Sequence, residues 1–371
     1  MSLEQISTDV ILFFILYGIT GVVPFIAALY LLLRRGNAIA PGVTPPLRLR
    51  RWTAAFFVVT SVAHVWWLLF FIYSGNLQSL SYLVLVMLDC VSLFIAFAGM
   101  LLAMLQDRRR SVWPAFVAMI PFVALYGMFM VNPNTLVGHI SAAYLVLLGL
   151  LFTAYMVFAI RRYGRWLNDN YSDLENKKVW LCQTVALVCM LLFILYVLAV
   201  DMVLIWLIHI FELVIVGLLL WRVETLPQLE SKTQAKEPST PLQPKEEPTC
   251  GSAVNIDLNQ IEQLLSDHCI TPQLYLQHDL TLQQLAQAIG TNRYYLSQYF
   301  SRQGITYNTY INNLRINHFI HSYQAANAKG LPIVVQQLVH DSGYRSYSTF
   351  SLAFKQRTGQ SVTAWMRESD E

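Results

Sequence analysis

Up to Trp221 the chain alternates long apolar runs with short polar breaks, the runs covering about residues 10 to 33, 53 to 73, 80 to 105, 112 to 131, 139 to 160, 179 to 199 and 203 to 221. An α-helix rises about 1.5 Å per residue, so roughly 20 apolar residues cross the roughly 30 Å hydrocarbon layer of a bilayer. Each run is expected to be a membrane-spanning helix. The last two runs form one apolar stretch of about 43 residues with Asp201 near its midpoint, too long for one crossing, so a tight hairpin is expected at Asp201. Beyond it the pattern changes. Residues 223–254, which include "PQLESKTQAKEPSTPLQPKEEPTCGS", are rich in Pro, Glu, Lys, Gln, Ser and Thr and cannot bury a core. They are expected to form a disordered linker with a mean reach on the order of 30 Å. Residues 255–371 return to the alternation of apolar and polar positions of a small helical soluble domain.

Charge orients the apolar part. The break after the first run carries Arg34, Arg35, Arg48, Arg50 and Arg51, that after the third Arg108, Arg109 and Arg110, and that after the fifth Arg161, Arg162, Arg165, Lys177 and Lys178. The alternate breaks, around Ser74 to Gln78, Asn132 to Gly138 and Asp201, carry no cation, and the amino terminus has Glu4 and Asp9 only. Short loops rich in Lys and Arg stay in the cytoplasm. Seven spans with this alternation put the amino terminus outside and residues after Arg222 in the cytoplasm. The first run is too long for a secretory signal, lacks a basic leader and shows no convincing cleavage site, so it is expected to be retained. Of the five cysteines, Cys90, Cys182 and Cys189 lie in apolar runs, Cys250 in the linker and Cys269 in the polar part, without metal-ligand or disulfide spacing.

In the polar part, "TLQQLAQAIGTNRYYLSQYF", residues 281 to 300, has the spacing of two helices about a glycine turn. Thr281 with Gln284 fits a capping box, Leu282, Leu285, Ala286 and Ile289 give the first helix an apolar face, and Gly290 supplies a turn. The second helix is expected from Asn292 to Gln303, with Leu296 and Phe300 inward, Gly304 as C-cap, and Arg293, Tyr294, Ser297, Gln298 and Arg302 outward. Hydrogen-bonding side chains between cations suit the major groove of DNA. The pattern recurs in "SGYRSYSTFSLAFKQRTG", residues 342 to 359, with Gly343 at the turn, Phe350 and Phe354 inward, Arg345, Lys355 and Arg357 as cations, and Gly359 at the end. Between the units, "YNTYINNLRINHFIHSY" (307 to 323) is apolar around much of its circumference, as a buried connecting helix would be. From Thr281 to Arg367, the eight cations Arg293, Arg302, Arg315, Lys329, Arg345, Lys355, Arg357 and Arg367 face a single acid, Asp341, which favours a polyanion, although an anionic membrane surface would satisfy the same charge.

Two such units on one connecting helix resemble the DNA-binding domain of AraC-type (arabinose-regulator, AraC/XylS) bacterial transcription factors. The resemblance covers about residues 257 to 367 and rests on "LTLQQLAQAIGTNRYYLSQYFSRQGITYNTYINNLRINHF" and "GYRSYSTFSLAFKQRTGQSVTAWMR". It implies that Tyr294, Ser297 and Gln298, with Arg293 beside them, face bases from the first reader and Tyr347, Ser348, Ser351 and Leu352 from the second. Arg302, Arg345, Lys355 and Arg357 are the phosphate candidates. Departures concentrate on the second reader: Leu352 stands where a basic residue is common and suits a thymine methyl or no contact. Val362 replaces a frequent proline, Phe319 a frequent small residue, and Val339 and Ser342 alter the usual helix end.

Four ionisable residues lie at membrane depth: His64, Asp89, and His209 with Glu212 one turn apart. Such groups are costly in hydrocarbon and face partners or a cavity. Interhelical hydrogen bonds that fix packing are one reading, a signal-binding site another. One His-x-x-Glu pair is weak ligand spacing, so no metal, cofactor or catalytic set is expected. Trp66, Trp67 and Trp206 suit packing or interfacial anchoring. His318, His321 and His340 suit packing or surface positions.

The expectation is an all-α chain: a seven-helix transmembrane sensor bundle (1–222), a linker (223–254) and a cytoplasmic AraC-type domain with two helix-turn-helix units (255–371). It would act as an inner-membrane bacterial transcriptional regulator and not an enzyme. Its partners would be double-stranded DNA, membrane lipids and a small or lipophilic ligand, the extracellular breaks being too short for a separate sensor. A homodimer is compatible, as is a monomer whose two readers occupy major-groove faces about 34 Å apart. Two alternatives stay open: a transporter or intramembrane enzyme regulated by the cytoplasmic domain, and a protein-docking domain without a DNA role.

Overall fold

A computed structural model of the chain describes residues 8–34, 36–73, 76, 79–198, 202–229 and 258–370. It divides into two compact units, one of residues 1–163 with 176–235, the other of residues 164–175 with 236–371. Among the described residues there is no strand, only an isolated bridge between Tyr171 and Thr281.

The first unit holds α1 (Thr8–Leu33), α2 (Leu47–Tyr73), α3 (Leu80–Met104), α4 (Trp113–Val131), α6 (Trp180–Leu198), α7 (Met202–Thr225) and most of α5 (Thr135–Asn170). Among the described residues six helices, α1 to α5 and α7 from Ile205, are long and apolar enough to cross a membrane. The sixth expected span, residues 179 to 199, corresponds to α6, 19 residues of apolar sequence that is not one of these six. Residues 199–201 lie outside the described residues, and with them the expected hairpin at Asp201. Large apolar side chains such as Phe14, Ile26, Phe71, Ile120, Leu150 and Phe158 point outward. Water penalises that surface, whereas hydrocarbon does not. Inside, α1 packs on α2 and α7, and α2 packs on α3.

The basic breaks gather at one end of this unit. Arg50 donates to the Leu31 carbonyl and Arg48 to that of Arg110, tying the first break to α1 and to the third break. Arg222 bonds the carbonyls of Asn176 (2.9 Å) and Lys178 (2.7 Å). Asn37 bonds the Glu224 carbonyl at 2.9 Å, and the Gln228 amide bonds that of Thr44 at 2.9 Å. Helix C-terminal carbonyls lack intrahelical partners, and these side chains supply some. The chain leaves α7 at this same basic end, with α7 running to Thr225 and Leu226 and Leu229 buried beyond it.

In the second unit, α8 (Leu258–Leu265) continues as a π-turn over Ser266–Ile270. It is followed by α9 (Leu282–Ala288), α10 (Arg293–Arg302), α11 (Tyr307–Ala328), α12 (Val335–Asp341), α13 (Tyr347–Thr358) and α14 (Val362–Asp370). The Thr281 and Gln284 capping box forms with both reciprocal bonds. Gly290 and Gly343 sit in the two interhelix turns at φ +73° and +86°, a region glycine enters without steric cost. Helix α11 passes through two cores. Tyr307 and Ile311 pack with Leu285, Ala286, Leu296 and Phe300 in the first; Ile316 and Phe319 pack with Val339, Phe350, Phe354 and Val362 in the second. Phe319 meets Phe350 with ring centroids 4.5 Å apart, so its larger side chain is accommodated as core.

Between the two cores sits Arg315, 1% exposed. It donates to the carbonyls of Tyr275 and Gln277, each at 2.7 Å, and lies 5.5 Å from the centroid of the Tyr344 ring. Burial lowers its pKa, opposed by the nearby Tyr344 and Tyr307. This corrects the charge tally: Arg315 is a structural cation, withdrawn from any polyanion.

Candidate functional site

Both reader helices begin alike. Asn292 caps α10 by accepting the Tyr294 amide at 2.7 Å, and Ser346 caps α13 by accepting that of Thr349 at 3.3 Å. Leu296 and Phe300, then Phe350 and Phe354, bury the inner face one helical turn apart, which leaves the intervening positions outside. On α10 Tyr294 is 62% exposed, Ser297 is exposed, and half-buried Gln298 donates to the Tyr294 hydroxyl at 2.8 Å. On α13 Tyr347, Ser348 and Leu352 are exposed, Leu352 by 53%, and Ser351 is half-buried. The eight expected base-facing residues thus fall on the outer faces of two helices, with Arg293, Gln298 and Ser351 partly covered.

The expected phosphate cations separate into two pairs. Arg302 and Lys355 are exposed at the C-terminal turns of their helices. Arg345 instead pairs with Asp279 at 2.6 Å, and Arg357 donates to the Asn313 carbonyl and Asn317 side chain of α11. The latter guanidinium holds α13 onto the connecting helix. His318 lies 3.4 Å from the Tyr275 hydroxyl, in a packing position as expected.

Residues 164–175, the last turns of α5 and the first residues beyond it, belong to this same unit, a feature that nothing in their polar sequence announces. The Ser172 hydroxyl donates to the Leu280 carbonyl at 2.7 Å, and Asn308 donates to the carbonyls of Tyr171 (3.1 Å) and Ser172 (2.7 Å). Both readers are touched. Arg293 donates to Asn170, while Glu175 accepts from Ser346 (2.7 Å) and Thr349 (3.2 Å) at the first turn of α13. A carboxylate there meets the positive end of the helix dipole, where an anion is favoured.

Of the four polar residues expected at membrane depth, the bundle brings three together. Glu212 Oε2 lies 3.6 Å from both His64 Nε2 and His209 Nδ1. Asp89 stands apart, accepting the indole N–H groups of Trp66 (3.1 Å) and Trp67. The sequence reading missed Thr20, whose hydroxyl lies 3.0 Å from His64 Nε2 and 3.3 Å from His209 Nδ1. A threonine in an apolar helix carries no sequence signal for such a role.

Residues 285–368, from within α9 into α14, match the family model of a helix-turn-helix domain. No curated protein and no solved structure matches the chain. The match spans both glycine turns and both polar-faced helices, in agreement with the resemblance drawn from the residues. The C-terminal unit therefore carries an AraC-type helix-turn-helix domain, a DNA-binding module.

Proposed function

We propose that the protein is a membrane-anchored transcriptional regulator of a bacterial inner membrane. Two helix-turn-helix units bind a specific DNA sequence under the control of a signal sensed in the bundle. The observation that carries this reading is the repeated reader: two helices, each glycine-turned, capped and polar on its outer face, held by one buried connecting helix. Six membrane-capable helices precede it, and the chain leaves them at their basic end, which supports a cytoplasmic location for the DNA-binding unit.

Direct base contacts are assigned to Tyr294, Ser297 and Gln298 on α10 and to Tyr347, Ser348, Ser351 and Leu352 on α13, with Arg293 at the edge of the first face. Arg302 and Lys355 are the phosphate cations. Segment 164–175 supports control through DNA access, because Asn170 and Glu175 hold groups at the N-terminal turns of both readers. Recognition helices enter the groove by that end. A signal that moves this segment would free both readers at once.

Two experiments test the reading. Topology reporters fused at residues 76 and 230 should give outside and cytoplasmic signals respectively; equal signals would refute the anchoring. Fragment 255–371 should bind a preferred duplex with a steep salt dependence, and salt-insensitive binding without sequence preference would refute the DNA role.

A further inference from the structure

We propose that His64, His209 and Glu212, with the Thr20 hydroxyl as a fourth donor, form a site for one divalent transition-metal ion of the zinc class within the bundle. The proposal deepens the sensor reading above and rests on it in one respect: the bound ion would be the signal.

Ligand spacing is the first argument. The candidate ligand atoms of His64, His209 and Glu212 lie within 4.8 Å of one another. Glu212 Oε2 is 3.6 Å from each ring nitrogen, and Thr20 Oγ1 is 3.0 and 3.3 Å from the same two nitrogens. A tetrahedral ion with bonds of about 2.0 to 2.2 Å sets its ligands about 3.3 to 3.6 Å apart. The cluster is close to that size. Conversely, 3.6 Å is too long for a hydrogen bond between Glu212 and either histidine.

Proton counting is the second. His64 Nδ1 lies 2.9 Å from the Thr60 carbonyl, which can only accept, so Nδ1 carries a proton and Nε2 of the neutral ring presents a lone pair. A backbone carbonyl holding the far nitrogen is the usual support of a metal-ligating histidine. The single Thr20 proton has the Leu16 (3.1 Å) and Tyr17 (2.9 Å) carbonyls and the His64 Nε2 lone pair as acceptors within reach, and His209 Nδ1 lies 3.3 Å from the same oxygen. Glu212 Oε1 is buried with no partner at all. The His64 lone pair, the Thr20 oxygen and the Glu212 carboxyl converge on one point, a donor set that a cation would complete.

Surroundings are the third. Thr20 is 0% exposed, and the His64, His209 and Glu212 side chains are 11 to 13% exposed. The Tyr17 ring stands 4.8 Å from that of His64 and 5.4 Å from that of His209, with Phe13 at 5.8 Å from the latter. Gly21 lies against the Cβ of His64, where an added methyl would come within 3.1 Å, so α1 approaches α2 closely beside Thr20. A carboxylate in such an apolar setting is stabilised by a proton or by a bound cation, and the two imidazoles beside it supply the further donors a cation requires. Two imidazoles and one carboxylate suit zinc-class ions and discriminate against magnesium and calcium, which prefer all-oxygen sites.

The test uses the full chain in lipid nanodiscs, stripped with a chelator and titrated with Zn2+ alone. Co2+ supplies an absorption signature of tetrahedral coordination, and Mg2+ serves as comparison. The expected result is one zinc per chain, with affinity weakened at least about a hundredfold in each of His64→Ala, His209→Ala and Glu212→Gln, and unchanged in His139→Ala, which alters an exposed histidine. Thermal unfolding of each variant in the same nanodiscs, followed by helical circular dichroism, verifies that the bundle is folded. No saturable zinc, or equal affinity in all variants, would overturn the site. A promoter reporter separates this from the sensor reading: zinc bound at the site with an unresponsive reporter overturns the ion as signal. A reporter that answers another signal while zinc fails to bind overturns the site and leaves the sensor standing.

Discussion

Replacing Gly343 by alanine should damage the C-terminal unit more than the same change at Gly290, though both glycines turn the chain between two helices. Both have positive φ, +86° and +73°, where an L side chain costs about 1 to 2 kcal/mol. Only Gly343 is also crowded. A Cβ there would lie 2.8 Å from the Leu276 carbonyl oxygen and 3.0 Å from Arg315 Nε, whereas nothing lies within 4 Å of one at Gly290. Neither neighbour yields easily, because Arg315 is held by the Tyr275 and Gln277 carbonyls, which lie in the same backbone turn as Leu276. Overpacking of this kind costs about 1 to 3 kcal/mol, so Gly343→Ala should lose about 2 to 5 kcal/mol and Gly290→Ala about 1 to 2 kcal/mol. Urea denaturation of fragment 255–371 measures both, followed by the fluorescence of Trp365, its sole tryptophan, which packs on Phe354 in the second core. Equal losses at the two positions would refute the argument that the second turn is clamped against Arg315.

Gln298→Ala should relax base preference at one position by about 1 to 3 kcal/mol of discrimination, and Lys355→Ala should weaken all duplexes alike; a binding screen over single-base variants separates them. Glu175→Ala in the full chain should raise DNA affinity about twofold to fivefold, the effect of one carboxylate removed from a helix N-terminus, as read by fluorescence anisotropy; unchanged or weaker binding would refute the access mechanism. Burial pushes the Cys269 thiol up to about 11, so the thiol stays protonated at neutral pH. In fragment 255–371, where it is the sole cysteine, alkylation at pH 8 should be slow in the folded domain and rapid in urea. Fast alkylation of the folded domain would contradict its burial.

Local pattern makes most of the helices legible in the amino-acid sequence. The Thr281 and Gln284 cap, the inner pairs Leu296/Phe300 and Phe350/Phe354 and the glycine turns all rest on spacings of three or four residues, which helix geometry converts directly into faces. The spans are legible for the same reason, each run being long enough to stand alone. What the sequence conceals is tertiary. Arg315 looks like a surface cation until the fold brings two backbone carbonyls to it. His64 lies 44 residues from Thr20 and shares no period with His209, so only the packing of α1, α2 and α7 unites them. Asp89 reads as their equal, yet two indole donors satisfy it elsewhere. Segment 164–175 is polar and short, and no local rule says that it docks on the DNA-binding unit and not on the bundle.

The central claim is that a membrane-embedded chain reads DNA through two linked helices. Selection from a random duplex library by the full chain in lipid nanodiscs tests it most directly. The account predicts one enriched bipartite sequence whose halves are separated by about one helical turn, each half lost separately when α10 or α13 is stripped of its outward polar residues. Binding should fall with salt at a log–log slope of about −2 to −4, as expected for two to four phosphate contacts. No enrichment over the starting library, or enrichment indifferent to both helices, would contradict it.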